Sequence, residues 1–122
     1  MKLGELEKTI MTHLWEHRSR EPFTVRDVTQ EIRSRTKRPY AYNTILTVIT
    51  HLYEKKLLAR SLAGKTFSYR VKVSKDEFLT RASKMLVAGL QKDYGSLALS
   101  HFVDTLAEID PALLARARKK AS

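Results

Sequence analysis

The hydrophobic residues of this chain switch near Leu58 from helical spacing to alternation, and that change limits the folds open to it. Before it, apolar side chains recur at helical spacing in three separate runs. Leu3, Leu6, Ile10 and Leu14, widened by Met11 and Trp15, predict a first helix ending near His17. Arg18 to Pro22 is polar and contains proline, which makes it a loop, and Phe23 contributes at most a very short strand. Thr24-Val25-Arg26-Asp27 has the form of a capping box, in which the hydroxyl takes a first-turn N–H and the acid returns to the cap N–H. Val25, Val28 and Ile32 follow on one face and predict a second helix over roughly 25–35. Pro39 breaks the pattern. A third helix then runs from about Tyr40 to Lys56, with Ile45, Val48, Ile49 and Leu52 as its core face. Its start carries no Ser, Thr, Asp or Asn at the expected cap.

After Leu58 the period falls to two. Leu58 to Leu62 and Thr66 to Val71 flank Ala63-Gly64-Lys65, and Phe67, Tyr69 and Val71 alternate with Ser68 and Arg70. Two extended runs about a glycine-containing turn read as a β-hairpin. Three helices followed by a hairpin, with a short link between the second and third helices, make a winged helix-turn-helix.

Ser74-Lys75-Asp76-Glu77 is a second capping box and opens a fourth helix with Phe78, Ala82, Met85, Leu86 and Leu90 inward. Asp93-Tyr94-Gly95 interrupts it. A fifth helix carries Leu97, Leu99, Phe102, Val103 and Leu106, and Asp110-Pro111 starts a short last helix with Leu113 and Leu114, ending in a basic tail from Arg116 to Lys120. The fold class is therefore mainly α with a small β-hairpin: a winged helix-turn-helix over residues 1–73 and a C-terminal helical dimerisation region over 74–122. About fifty residues cannot bury the apolar side chains of that second region alone. Either it folds back on the first region, or Met85, Leu86, Leu97, Leu99, Phe102, Val103 and Leu106 pair two copies. A two-fold homodimer is the commonest such form.

Charge points to the partner. The chain has a formal net charge of +10, and residues 33–72 hold ten basic residues against one acid, nine of those ten net charges. The rest of the chain nearly cancels. A merely solubilising surface interleaves both signs along its length, whereas this clustering suits a polyanion. A major groove admits one helix, whose first residues reach base edges. On the third helix those are Asn43, Thr44 and Thr47. Asn pairs with adenine through two hydrogen bonds, and Thr brings a hydroxyl and a methyl. Around them Thr24, Arg26, Lys55, Lys56, Arg60, Lys65 and Arg70 are placed to meet backbone phosphates, though any one of them serves equally as plain surface. Tyr40 and Tyr42 flank the helix start and either bond a phosphate or pack. Double-stranded DNA is thus the expected partner, read in sequence by a dimer on a palindromic operator. The alternative is a non-specific architectural nucleic-acid-binding protein.

Other classes find little support. No Gly-rich phosphate loop, G-x-S-x-G or H-E-x-x-H motif appears, so no enzyme, cofactor or small-molecule ligand is indicated. His13 and His17 stand at i, i+4, but with no Cys and no further convergent ligand they read as a surface pair with no metal. No apolar run reaches membrane-spanning length, and no apolar stretch precedes Glu5, so the chain reads as cytoplasmic, without a signal peptide.

These same residues carry a family resemblance. Leu3-Gly4-Glu5-Leu6-Glu7, Met11, Leu14-Trp15, Thr24 to Val28, Asn43-Thr44-Ile45, Thr47-Val48, Leu52 to Leu58 and Phe67-Ser68-Tyr69 resemble the penicillinase repressor family (BlaI/MecI), over nearly the full length. The resemblance implies a dimeric repressor of β-lactam resistance or cell-envelope stress genes. It also implies a membrane-bound sensor metalloprotease as a second partner, which cleaves the repressor in its dimerisation region. The family's Asn-Phe-Val cleavage motif is matched by His101-Phe102-Val103, with His in place of Asn, which puts the implied cut between His101 and Phe102.

Overall fold

A computed structural model of the chain describes residues 3–121. Its elements in order are α1 (Glu5–Glu16), a 3₁₀ turn (Arg18–Arg20), β1 (Phe23–Thr24), α2 (Val25–Thr36), α3 (Tyr42–Glu54), β2 (Leu58–Ala63), β3 (Thr66–Val71), α4 (Lys75–Tyr94), α5 (Ser96–Ile109) and α6 (Pro111–Ala121). The chain is mainly helical, with a winged helix followed by C-terminal helices. It divides into two compact units, the first reaching Leu79 and the second beginning at Thr80, so the division falls inside α4.

Both predicted capping boxes form. The Thr24 hydroxyl accepts from Asp27 N–H at 3.1 Å and the Asp27 carboxylate accepts from Thr24 N–H at 2.9 Å. Ser74 Oγ accepts from Glu77 N–H at 3.1 Å. α3 is two residues shorter at each end than its apolar pattern predicts. Ala41, two residues past Pro39, keeps an extended backbone and is the N-cap, without a side-chain hydrogen bond. At the other end Lys55 is the C-cap, and Lys56, at φ 65°, turns the chain out of the helix.

The first unit has one core. Ile10, Met11 and Leu14 from α1, Val28 and Ile32 from α2, and Ile45, Ile49 and Leu52 from α3 close on Leu57, just before the hairpin, and on Leu58, Tyr69 and Val71 within it. Trp15 joins that core from its edge. Its indole N–H donates to Val73 O at 3.0 Å, and its ring lies 5.4 Å from that of Phe78. The hairpin gains a third strand: Phe23 pairs with Tyr69 and Thr24 with Ser68, giving the order β1-β3-β2. β2 and β3 join through Gly64-Lys65, and Gly64 takes φ 64°, the left-handed setting that the first position of a primed two-residue turn demands.

The second unit differs from the sequence expectation in two respects. Met85 and Leu86, expected to face inward, are exposed within the single chain. The basic stretch after Arg116 is no tail but part of the eleven-residue α6, which Asp110 opens by accepting from Leu113 N–H at 3.0 Å. Ala, Leu, Arg and Lys are all strong helix formers, so nothing in the stretch stops the helix. α5 and α6 pack on each other.

His13 also departs from expectation. It keeps its pairing with His17, the ring centroids 4.3 Å apart, but it is buried and not on the surface. α2 covers it: Nε2 lies 3.4 Å from Glu31 Oε1, and Arg35 Nη1 lies 3.4 Å from Nδ1. Arg20 pairs with the same Glu31 carboxylate, and Arg35 reaches Glu16 at 2.8 Å. Burial pushes the His13 imidazole below its ordinary pKa, against the opposing pull of Glu31. No group of three or more metal-ligating side chains occurs among the described residues.

Candidate nucleic-acid interface

The candidate reading face is built on the outer side of α3. The helix buries Ile45, Ile49 and Leu52, and with 3.6 residues per turn the opposite side must carry Asn43, Thr44, Thr47 and His51. All four are exposed. Thr47 donates its hydroxyl to Asn43 O at 2.9 Å, which fixes its rotamer and leaves its oxygen lone pairs and methyl outward. Thr50 donates to Leu46 O at 2.8 Å and is half-buried, so it stands at the edge of that face.

Beside α3 lies a groove of about 480 Å³ lined by Thr24, Val25, Arg26, Tyr42, Leu46, Lys65, Thr66, Phe67 and Tyr69. It brings together four residues expected to meet phosphate: Thr24, Arg26, Tyr42 and Lys65. They arrive from four places, namely the cap of α2, its first turn, the start of α3 and the tip of the hairpin. Among the described residues neither Arg26 nor Lys65 has an acidic partner, and both side chains are exposed. Thr66, Phe67 and Leu46 of this wall were not anticipated. Their place depends on how the hairpin leans on α3, which no local pattern encodes.

The other expected phosphate ligands lie outside this groove. Tyr40 is half-buried against the core, with its carbonyl accepting from Arg33 Nε at 2.7 Å and its hydroxyl 3.4 Å from Arg38 Nη1. Of the two earlier alternatives for Tyr40, packing has the contacts. Lys55 pairs with Glu7 Oε2 at 2.6 Å and ties the end of α3 to α1. Burial alone raises the Glu7 pKa, but the Lys55 hydrogen bond and charge, with Gly4 N–H, hold the carboxyl below its usual value. Lys56 is exposed with no acidic partner among the described residues. Arg70 reaches Ser61 Oγ at 3.4 Å across the hairpin. Arg60 sits between two rings, with its Cζ 4.0 Å from the Tyr53 centroid and 4.2 Å from that of Phe67.

In the second unit the residues expected to pair two copies fall into two groups. Met85, Leu86, Leu97 and Val103 are exposed, whereas Leu99, Phe102 and Leu106 are half-buried. Phe102 follows the exposed His101 inside α5.

The fold and this cationic groove leave the family open, and a match over nearly the whole chain decides it. The family model for the penicillinase repressor matches residues 3–120. The chain belongs to the penicillinase repressor family. The "Transcriptional regulator BlaI" of Mycobacterium tuberculosis strain CDC 1551 / Oshkosh is 35% identical over 119 residues, covering 95% of this chain and 82% of the relative. The protein of the same name from strain ATCC 25618 / H37Rv matches to the same extent. For this member of the penicillinase repressor family, the match spans both units, the winged helix and the helices after it. No helix among the described residues is long and apolar enough to cross a membrane.

Proposed function

We propose that this protein is a DNA-binding transcription repressor that acts as a homodimer on a palindromic operator. One observation carries the reading: the exposed Asn43, Thr44 and Thr47 face adjoins a groove in which Arg26, Tyr42 and Lys65 converge. Short polar side chains let α3 seat deeply in a major groove, where Asn43, Thr44 and Thr47 read base edges. Arg26 and Lys65 then grip the backbone on either side, with the Tyr42 and Thr24 hydroxyls adding polar contacts. Lys56 and Arg70 extend the basic border. Lys55 is left out of this set because Glu7 occupies it.

The dimer reading is supported by the second unit, where Leu86 and Leu97 are 66% and 70% exposed within the single chain and Met85 and Val103 are exposed beside them. Two heads held by a two-fold axis require half-sites about one helical turn, ~10 bp, or a multiple of it, apart. Membership of the family supports resistance or cell-envelope stress genes as targets. It also supports relief of repression by a membrane-bound metalloprotease that cuts between His101 and Phe102. That bond lies within α5, where Thr105 Oγ1 donates to His101 O at 2.9 Å, so cleavage requires the helix to open locally.

The deciding experiment is selection from a random duplex library, followed by footprinting of the enriched sequence. Recovery of an inverted repeat protected on both halves is the expected result. Equal retention of scrambled duplexes establishes the non-specific architectural reading in its place.

A further inference from the structure

We infer that Arg60 is a positioning residue that locks the wing to the recognition helix, and not a ligand for phosphate. Arg60 stands opposite Tyr69 in the β2–β3 register. Residues directly opposite in an antiparallel pair project from the same face. Tyr69 is buried, so Arg60 leaves the sheet on its inner face, toward α3. There its guanidinium is held between Tyr53, in the last turn of α3, and Phe67, on β3, at 4.0 and 4.2 Å from the ring centroids. Both rings stand within cation–π range of the one guanidinium. Its residue is half-buried, and it does not line the groove where Arg26 and Lys65 converge. Phe67 does line that groove, so the stack braces one of its walls.

The hairpin shows why a brace is needed. From Ser61 to Phe67 every residue is exposed, so no core lies under the outer half of the wing. Arg70 and Ser61 contact each other within the wing and do nothing to fix its angle. The base of the hairpin is held to α3 through Leu58, Tyr69 and Val71 in the core, and nearer the tip the Arg60 contacts with Tyr53 and Phe67 add a further link. Removing it frees the tip, and Lys65 no longer stands at a fixed distance from Asn43 and Thr44. The cation then contributes to DNA affinity through order in the wing rather than through a contact of its own.

This inference rests on the proposed DNA reading, but half of its test does not. Arg60→Lys keeps the charge and loses the planar stack; Arg60→Met loses both; Lys65→Ala serves as the phosphate-contact control. Amide hydrogen exchange of the full chain without DNA should quicken across residues 61–67 in both Arg60 variants. Affinity for the selected duplex should fall about tenfold in both, the size expected for a half-buried guanidinium against two rings. The slope of log affinity against log salt should stay at the wild-type value for Arg60→Met and drop by about one for Lys65→Ala. Unchanged exchange in the two Arg60 variants overturns the inference, and so does a slope lowered by about one in Arg60→Met. If the wild-type protein binds no duplex, the DNA reading fails, and the exchange comparison alone decides whether Arg60 holds the wing.

Discussion

The two units of this chain bury their apolar residues by different means. Every buried apolar side chain among the described residues lies between Leu3 and Val73, and none from Thr80 onward is buried. The difference is not one of hydrophobic supply, since α5 alone carries Leu97, Leu99, Phe102, Val103, Leu106 and Ile109. It is one of geometry. In the first unit three helices and a sheet close around one centre, so each element presents one apolar face to the others. In the second, Leu97 and Ile109 are left exposed at the two ends of α5, each more than two-thirds open to solvent. A head that closes its own core can read DNA as a single copy. An arm that does not leaves apolar surface for a partner, and in the proposed dimer a second copy supplies that cover and brings a second head.

The largest test of this contrast is Leu97→Asp. Leu97 is 70% exposed in the single chain, so a charge there costs the isolated fold little. In a dimer seam it buries an unpaired carboxylate. Sedimentation should show monomers, and affinity for the full palindrome should fall about 10²–10⁴-fold as the second head loses its tether. The fluorescence of Trp15, the chain's one tryptophan and a reporter of the head, should not change. A persistent dimer would break the comparison.

The next effect lies within the head. Ile49 is fully buried, and Ile49→Ala should destabilise the unit by about 2–5 kcal/mol through lost burial and the cavity left behind. Leu86→Ala, at a site 66% exposed, should change the stability of a monomeric variant by no more than about 0.5 kcal/mol. Thermal melts of the two in a Leu97→Asp background make the comparison direct. Similar losses would mean that the arm is as closed as the head.

What was legible in the sequence follows the same division between local and distant causes. The capping boxes at Thr24 and Ser74, the stripes of α1 to α3 and the Gly64 turn are written within a few residues, and the structure keeps them. His13 was misread because its cover comes from Glu31 and Arg35 on α2, which no spacing within α1 announces. For the same reason nothing local distinguishes Lys55, tied to Glu7 forty-eight residues away, from its unpaired neighbour Lys56. The exposed polar face of α3 was visible because it is the complement of a core stripe. The groove was not, since it needs the wing placed against the helix.

Acid should separate the two kinds of charge in the head. The His13 pKa is depressed by burial, so the unfolded chain binds its proton first; stability falls as pH drops below about 6.5, the unfolded value, until the folded group also titrates. Glu7 is depressed too, but as an acid. The stability from its Lys55 pair is present above the unfolded carboxylate value near 4.5 and is lost as pH falls through the lower folded value. Lys55→Met should therefore shrink the lower of the two acid steps in a stability profile, to which Glu16 beside Arg35 also contributes, and cost about 1 kcal/mol or less at neutral pH, the pair being partly exposed. His13→Asn should remove the upper step. A single step, unchanged in either variant, would show that neither group links folding to pH.

The smallest expected effect concerns Lys56, where the needs of the fold and of the DNA contact pull apart. Its φ of 65° is a setting that glycine adopts without strain and a side chain does not. Lys56→Gly should accordingly raise the stability of the head by about 0.5 kcal/mol, the relief of strain exceeding the greater freedom glycine brings to the unfolded chain. The same change removes an exposed cation at the end of the reading helix, so DNA affinity should fall and the salt slope should drop by about one. A variant that is both firmer and weaker at binding shows that lysine holds this position for its charge, against the preference of the backbone. If Lys56→Gly instead gains stability with no loss in affinity or slope, Lys56 is plain surface, and the phosphate border ends at Lys65 and Arg70.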